Sequence, residues 1–376
     1  MFTILLPSST EPISRSLSSV MRSAVSAPRE PFSACARSLP REAAVSAVSL
    51  PEKKADMTRS ATIAPVVIQN VRSVALGAAS IFVRSLVVYR VMRRPPRAFK
   101  GALAMRIAEL GEMIGPVLIF GGPYSNLQAM QAILAQAGGL GIPPERMICT
   151  GDVVAYCAQP VETVGMIRAA GCAVLAGNCE RQLAENAMDC GCGFEAGTQC
   201  DLLSAGWYRH ADRSVGAEPR GWMAGLPDLI LFTHEGRRVA VIHGGLSEVS
   251  RFIWPVSDEA VFQEEIAAIQ EVAGHIDMVL AGHSGLMFQR AIGAVTWVNA
   301  GAIGMPPHDG RVETGFAVLE ADGVVFHRLA YDHSAAHAAM QAAGLVQGYD
   351  RALVSGYWPS EDVLPPVLRR AACASG

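Results

Sequence analysis

Short apolar runs stopped by glycine recur from about residue 106 onward. Residues 117–120 precede Gly121, residues 147–150 precede Gly151, residues 173–176 precede Gly177 and residues 278–281 precede Gly282. A fifth run, 239–242, meets His243 and then Gly244. Runs of four to eight residues enriched in Val and Ile and ended by Gly read as buried strands. Stretches 126–137, 160–170 and 181–187 between the early runs carry helical patterning, giving the β-α-β alternation of a parallel or mixed sheet covered by helices. Two later pairs predict hairpins: 229–233 with 238–242 across Glu235-Gly236, and 314–319 with 324–329 across Asp322-Gly323. The pattern predicts a mixed α/β chain with two sheets and helices outside them, closed by a helix near 333–343 and a Pro-rich tail.

Before residue 105 no helical or strand period is sustained, and the segment is rich in Ser, Ala, Arg and Pro. It also divides the charge: residues 1–104 hold 15 Lys/Arg and 5 Asp/Glu, the remainder 16 and 29. The expected organisation is a disordered basic leader over 1–104, a folded domain over 105–332 with an insert at about 186–226, and a helix and tail over 333–376. An Arg-rich, acid-poor leader also suits an organelle transit peptide, or a start codon placed ahead of a true start at Met105. The acidic domain argues against general nucleic-acid binding, because neutralising phosphates takes clustered Lys and Arg. No window is apolar over the 18 or more residues a membrane span needs. Nine cysteines, an odd number in a chain large enough to bury its own core, do not form a small secreted framework, so the expected location is cytoplasmic. The sequence says nothing about oligomeric state.

Four strand ends deliver metal-ligand residue types: Gly151-Asp152, Gly177-Asn178, His243-Gly244 and Gly282-His283. Strand carboxyl ends in open α/β sheets face one crevice. Glycine beside each candidate lets the backbone turn sharply and approach an ion. A carboxylate, an amide oxygen and two imidazoles suit Zn, Mn, Fe or Co rather than Ca. Singly, each is also what a turn or a hydrogen-bonded structural histidine produces; the reading rests on the order of all four.

That ordered set resembles the calcineurin-like metallophosphoesterase family, whose blocks are D-x-H, G-D, G-N-H-D/E, a lone H and G-H-x-H. Ser125-Asn126-Leu127-Gln128-Ala129-Met130 is similar to the family's G-N-L-x-A-L, and Asn299-Ala300-Gly301-Ala302 to its N-P-G-S turn. The resemblance spans residues 116–329. It implies a four-layer α-β-β-α sandwich of two mixed sheets, divalent metal at the sheet edge, and hydrolysis of a small phosphorylated substrate, a phosphomonoester or phosphodiester. This chain departs from the pattern in three places. Gly122-Pro123-Tyr124 stands for D-x-H, Gly285 stands for the last His of G-H-x-H, and Cys179 stands for the His of G-N-H-D/E. The side chains lost from the first and last blocks are the family's ligands to one ion only. The resemblance leaves Asp152, Asn178, His243 and His283 for the other, so one divalent ion per chain is expected, or a second ion on replacement ligands.

With the paired site reduced, a cation should compensate. Arg181 is the best placed in sequence, with His210, Arg251, His308 and Arg311 as further candidates. Tyr124 is expected to hydrogen-bond a phosphate oxygen rather than ligate weakly, and Cys179 to take over weakly from the missing His or simply to be a buried thiol. Cys179, Cys190, Cys192 and Cys200 could bind zinc, pair reversibly or remain free thiols. Trp207 and Trp222 in the insert, with Phe252 and Trp254, could cap and shape a substrate pocket or only pack. Two other functions stay open: a descendant with the fold but no catalysis, and a serine hydrolase on Gly282-His283-Ser284-Gly285, a motif that has Leu286 where a nucleophile elbow needs Gly.

Overall fold

Alternation along the strands decides the layers. In the computed structural model, which describes residues 88–92 and 105–370, Val117, Ile119, Ala317 and Leu319 share one apolar cluster with Ile230, Phe232, Val239, Val241, Met278, Leu280 and Val298. Their neighbours point the other way. Leu118 and Phe120 join a second cluster with Met130, Ile133 and Ile167, while Leu229, Leu231, Ala240 and Val279 join a third with Phe262, Ile266 and Ile269. Successive strand side chains alternate between faces, so each sheet buries one face on the other sheet and one under helices. Phe232 and Phe262 are fully buried, each worth about 2–3 kcal/mol of transfer free energy.

The strands are β1 (Val88–Met92), β2 (Met105–Glu112), β3 (Val117–Phe120), β4 (Met147–Cys149), β5 (Ala173–Val174), β6 (Leu229–His234), β7 (Arg237–Val241), β8 (Met278–Ala281), β9 (Met287–Ile292), β10 (Val295–Ala300), β11 (Thr314–Glu320) and β12 (Gly323–Leu329). One sheet has seven strands in the order β1-β2-β6-β7-β8-β10-β9, the other five in the order β12-β11-β3-β4-β5. Both are mixed: β3, β4 and β5 run parallel, as do β7, β8 and β10, whereas β12, β11 and β3 alternate in direction. Helices α1 (Leu127–Gly139), α2 (Pro160–Ala170), α3 (Asn178–Glu185), α4 (Gln199–Ser214), α5 (Ala217–Met223), α7 (His333–Ala342) and α8 (Tyr349–Ser355) contribute to the cluster over the five-stranded sheet, and α6 (Glu259–Ala273) covers the seven-stranded one. This is the expected α-β-β-α arrangement. Among the described residues no helix is long and apolar enough to cross a membrane.

The Gly-stopped runs are β3, β4, β5, β7 and β8, and both expected hairpins form: β6 with β7, and β11 with β12. The pattern did not predict the hairpin of β9 and β10. β9 is an edge strand whose burial is broken, with Gln289 and Ala291 exposed, and its turn follows the conspicuous Gly-His segment. Nor did it predict α4, a 16-residue helix inside the Gly- and Cys-rich insert, where Thr198 caps by accepting a hydrogen bond from the Asp201 amide (3.3 Å). Most of the expected leader lies outside the described residues; within it, Val88–Met92 pairs antiparallel with β2.

Candidate metal centre

The carboxyl ends of β4 and β5 in one sheet and of β7 and β8 in the other lead directly into the four candidate ligands. Within each sheet the neighbouring strand ends are tied together: the Gly282 amide donates to the His243 carbonyl (2.7 Å), and the Gly122 amide to the Gly151 carbonyl (3.1 Å). Asp152 and His283 both have positive φ, 53° and 62°, an uncommon conformation for residues with a Cβ. Asn299 staples the His283 loop, its side-chain amide donating to the Gly282 carbonyl (2.5 Å) and the Ser284 hydroxyl (3.0 Å). Gly151 and Gly177 are needed for closeness rather than flexibility alone. A Cβ on Gly151 would come within 2.6 Å of the Gly177 nitrogen, and one on Gly177 would strike the Asp152 carboxylate.

The result is a buried convergence. His243 Nε2 lies 3.1 Å from Asn178 Oδ1, 3.1 Å from His283 Nδ1 and 3.2 Å from Asp152 Oδ2, and His283 Nδ1 is 3.9 Å from the same carboxylate oxygen. Asp152, Asn178 and His243 are each at most 4% exposed. His243 Nδ1 is 2.7 Å from the Thr150 carbonyl, an acceptor only, so this nitrogen carries the proton and donates. In the neutral ring Nε2 then offers a lone pair, and it faces an amide oxygen, a carboxylate oxygen and another ring nitrogen.

The Asn178 amide is oriented by its other end: Nδ2 donates to the Cys190 carbonyl (2.9 Å) and lies 3.4 Å from both the Cys179 and Cys192 sulfurs, leaving Oδ1 for the cluster. Lone pairs this close repel unless a cation or a proton sits among them. The donor set therefore fits a divalent ion, and Asp152, His243 and His283 form a group able to hold one.

The electrostatics set one anionic carboxylate against two imidazoles with opposite tendencies. Burial raises the Asp152 carboxyl's pKa, but His243 and His283 more than reverse this and hold it well below the usual carboxylate range. Burial lowers the His243 pKa, yet the Asp152 charge and the hydrogen bonds to Asp152 and Thr150 leave it raised. His283, desolvated and beside His243, is held below its ordinary value. Glu180, fully buried at the third position of α3, accepts from the amides of Asp152 (2.8 Å), Gly177 (2.9 Å) and Val154 (3.2 Å). Burial first, and the Asp152 charge second, nonetheless push it up to about 7. Glu180, Thr150 and Asn299 were not assigned these positioning roles from sequence. Asn299 stood in a quoted motif and Glu180 fills the acidic position of the G-N-H-D/E block, as Gly177-Asn178-Cys179-Glu180, whereas nothing marked the Thr150 carbonyl.

Of the other expected site residues, Cys179 and Tyr124 stay beside the cluster and Arg181 turns away from it. Cys179 is buried beside Asp152, with its amide 3.3 Å from Asp152 Oδ1, and burial, then the Asp152 and Glu180 charges, keep its thiol protonated. Tyr124 is buried, its ring over Gly122. Arg181 pairs with Asp228 at 2.6 Å. Of the other cations considered, Arg251 pairs with Glu264 and Glu265, His308 with Glu361, His210 lies 2.9 Å from the Ala158 carbonyl, and Arg311 is exposed. Cys190 and Cys192 form a disulfide, and Cys200 is a free buried thiol. Trp207 packs edge-on against Tyr156, and Trp222 lies under Arg168. Ser284 is buried, and the partner of its hydroxyl is Asn299 rather than a histidine.

Comparison with known proteins agrees with the architecture. A metallophosphoesterase from Sphaerobacter thermophilus has a similar structure, with 20% identity, 65% of this chain and 100% of that one covered, and a TM-score of 0.50. A hypothetical protein from Pyrococcus horikoshii OT3 gives 17%, 65%, 99% and 0.52. At such identities the likeness is one of fold. The sequence matches no curated protein. The family model of the calcineurin-like phosphoesterase superfamily domain, however, matches residues 124–323, more than half of the chain and the segment carrying all four candidate ligands. The chain belongs to the calcineurin-like phosphoesterase superfamily.

Proposed function

We propose that this protein is a metal-dependent phosphoesterase working at a reduced site that holds one divalent ion (Mn, Zn, Fe or Co) through Asp152, Asn178, His243 and His283. The reading is carried by four lone-pair atoms converging in a buried space, one of them fixed as an acceptor by the Thr150 carbonyl. When bound, a dication supplies Lewis acidity and lowers the pKa of a water from about 15.7 toward 7.

The chain's own residues do the rest. Asp152 supplies the negative charge and the other three ligands are neutral, so the loaded site keeps a net charge near +1 that draws in a phosphate. Thr150 fixes the His243 tautomer. Glu180 gathers the backbone amides of both the Asp152 and Gly177 loops, holding the carboxylate of Asp152 at the N-terminus of α3. Cys179, kept protonated by burial, can donate weakly where the family has histidine. Arg181 is tied to Asp228, and we assign it a structural role. Elemental analysis of protein purified without chelator should give about one ion per chain. Turnover of a chromogenic phosphoester with Mn or Zn should disappear in His243→Ala, and activity that survives this substitution would exclude the reading.

One observation favours a second reading, a binding or regulatory module without catalysis: the Tyr124 ring fills space beside Gly122, where the family places ligands to its other ion. Bound metal with no turnover over a broad panel of phosphoesters would decide for it.

A further inference from the structure

A carboxylate stands among the apolar residues of α6. Glu265 is fully buried on the helix face that carries Phe262, Ile266 and Ile269. Burying a carboxylate there is costly unless partners satisfy it. Those partners all lie in the loop that leaves β7. Oε2 accepts from the amides of Leu246 (2.7 Å) and Ser247 (3.0 Å), and Oε1 from the Ser247 hydroxyl and Arg251 Nη1 (2.7 Å). Gly245 permits the approach, since a Cβ there would lie 2.8 Å from Oε1. The loop also closes on itself: the Gly244 amide donates to the Val249 carbonyl (3.1 Å) and the Arg251 amide to the Glu248 carbonyl (3.1 Å).

This loop joins both imidazole ligands. His243 immediately precedes it, and the Thr150 carbonyl already fixes that ring. His283 has no such anchor. Its Nε2 is buried without a hydrogen-bond partner among the described residues, and the backbone group that bears on the ring is Ser250, in the same loop. Packing holds the ring instead. Phe252, at the end of the loop, lies against it with centroids 4.3 Å apart. Phe252 is itself stacked with Trp254 (5.3 Å) and Phe194 (6.1 Å). A metal ligand held by packing is only as well placed as the segment that supplies the packing.

We infer that Glu265 is a positioning residue of the metal centre: by clamping the 244–252 loop it sets the orientation in which the His283 ring presents Nδ1. It hydrogen-bonds to no ligand itself and acts through Leu246, Ser247 and Arg251 on Phe252. The inference rests on the metal-binding part of the proposed function and not on hydrolysis.

The test is calorimetric titration of the metal-stripped full chain with Mn, together with visible spectra of the Co-loaded protein. Glu265→Gln keeps the side-chain volume but turns one acceptor into a donor facing other donors. It should weaken Mn by about tenfold or more, the usual cost of losing a group that orients a ligand. The Co absorption bands should shift, because they report the geometry around the ion. A merely structural role would lower the melting temperature and leave the bands of the folded protein as in the wild type. Ile269→Val, a buried change in the same helix, supplies that comparison: the melting temperature should fall while Mn affinity changes by less than about twofold. Phe252→Leu leaves the carboxylate with all its donors, so it decides the question even for a Glu265→Gln chain that does not fold. It should weaken Mn roughly three- to tenfold and shift the Co bands. Mn affinity and Co bands unchanged in either variant would overturn the inference, as would an equal loss of affinity in Ile269→Val. Wild-type protein that binds neither ion would overturn the metal centre and this inference together. Wild-type binding with an unaltered Glu265→Gln would overturn the role of Glu265 alone. Turnover is not among the readings, so the proposed hydrolysis stands or falls separately.

Discussion

The ring of Tyr124 occupies the volume that a side chain on Gly122 would need: a Cβ there would approach Tyr124 Cε1 to 2.5 Å. In the family pattern both positions carry metal ligands, so the two departures are coupled in space. Gly122→Asp alone should overpack this corner and lower stability by about 1–3 kcal/mol. Adding Tyr124→His, which withdraws the ring, should recover part of that loss. Urea denaturation of the single and double variants measures the coupling, and equal stabilities would mean that the ring does not fill the missing ligand's place.

Gly177 sits where the Asp152 loop and α3 touch. A Cβ would lie 2.5 Å from the Asp152 amide nitrogen and 2.9 Å from Glu180 Oε2. Gly177→Ala should therefore cost at least about 2 kcal/mol and loosen the Asp152 carboxylate. The expected result is a lower melting temperature together with reduced metal content. Full metal occupancy in this variant would contradict the placement.

Removing metal should destabilise the fold, because His243, Asp152 and Asn178 are buried and their lone pairs face one another. Restoring an ion to about 100 times its dissociation constant should add about 2.7 kcal/mol of stability, provided only the native state binds it. Thermal unfolding with chelator and after Mn addition gives the comparison. His243→Ala should show no such increment.

Acid should release the segment that carries Trp358. The Trp358 amide donates to His308, whose Nε2 lies 2.7 Å from the Glu361 carboxylate, and Arg370 pairs with the same oxygen at 2.7 Å. Burial raises the Glu361 pKa, but the Arg370 and His308 hydrogen bonds outweigh it and hold the group at about 2, below its ordinary 4.5. A depressed carboxylate stabilises the native state fully above the unfolded value. That contribution is lost as pH falls from about 4.5 through about 2, and with one of its two partners, Arg370, exposed it is on the order of 1 kcal/mol. Trp358 fluorescence should report the release, and Glu361→Gln should abolish its pH dependence over this range.

The readable parts of the molecule are those whose signal is local. β3, β4, β5, β7 and β8 are Val- and Ile-rich runs with glycine or histidine at the end, and α2 spans the stretch its patterning marks. The edge strand β9 was hidden because only one side of it is steadily buried, so no clean alternation survives in its sequence. α4 was hidden by the Gly- and Cys-rich segment before it. Arg181 was placed near the phosphate by its distance along the chain from Asn178; its guanidinium instead meets Asp228, 47 residues away.

The sequence by itself determined the two sheets with helices outside them and the four candidate ligand types at their strand ends, because Gly-stopped apolar runs and a glycine beside each candidate are properties of consecutive residues. Only the tertiary structure decided what surrounds them. The Thr150 carbonyl fixes a histidine 93 residues away, and Glu180 joins two loops. Phe194, Phe252, Tyr349 and Trp358 come from distant parts of the chain to line one cleft. Such contacts depend on where the two sheet edges and the C-terminal segment meet, and no local spacing encodes that meeting.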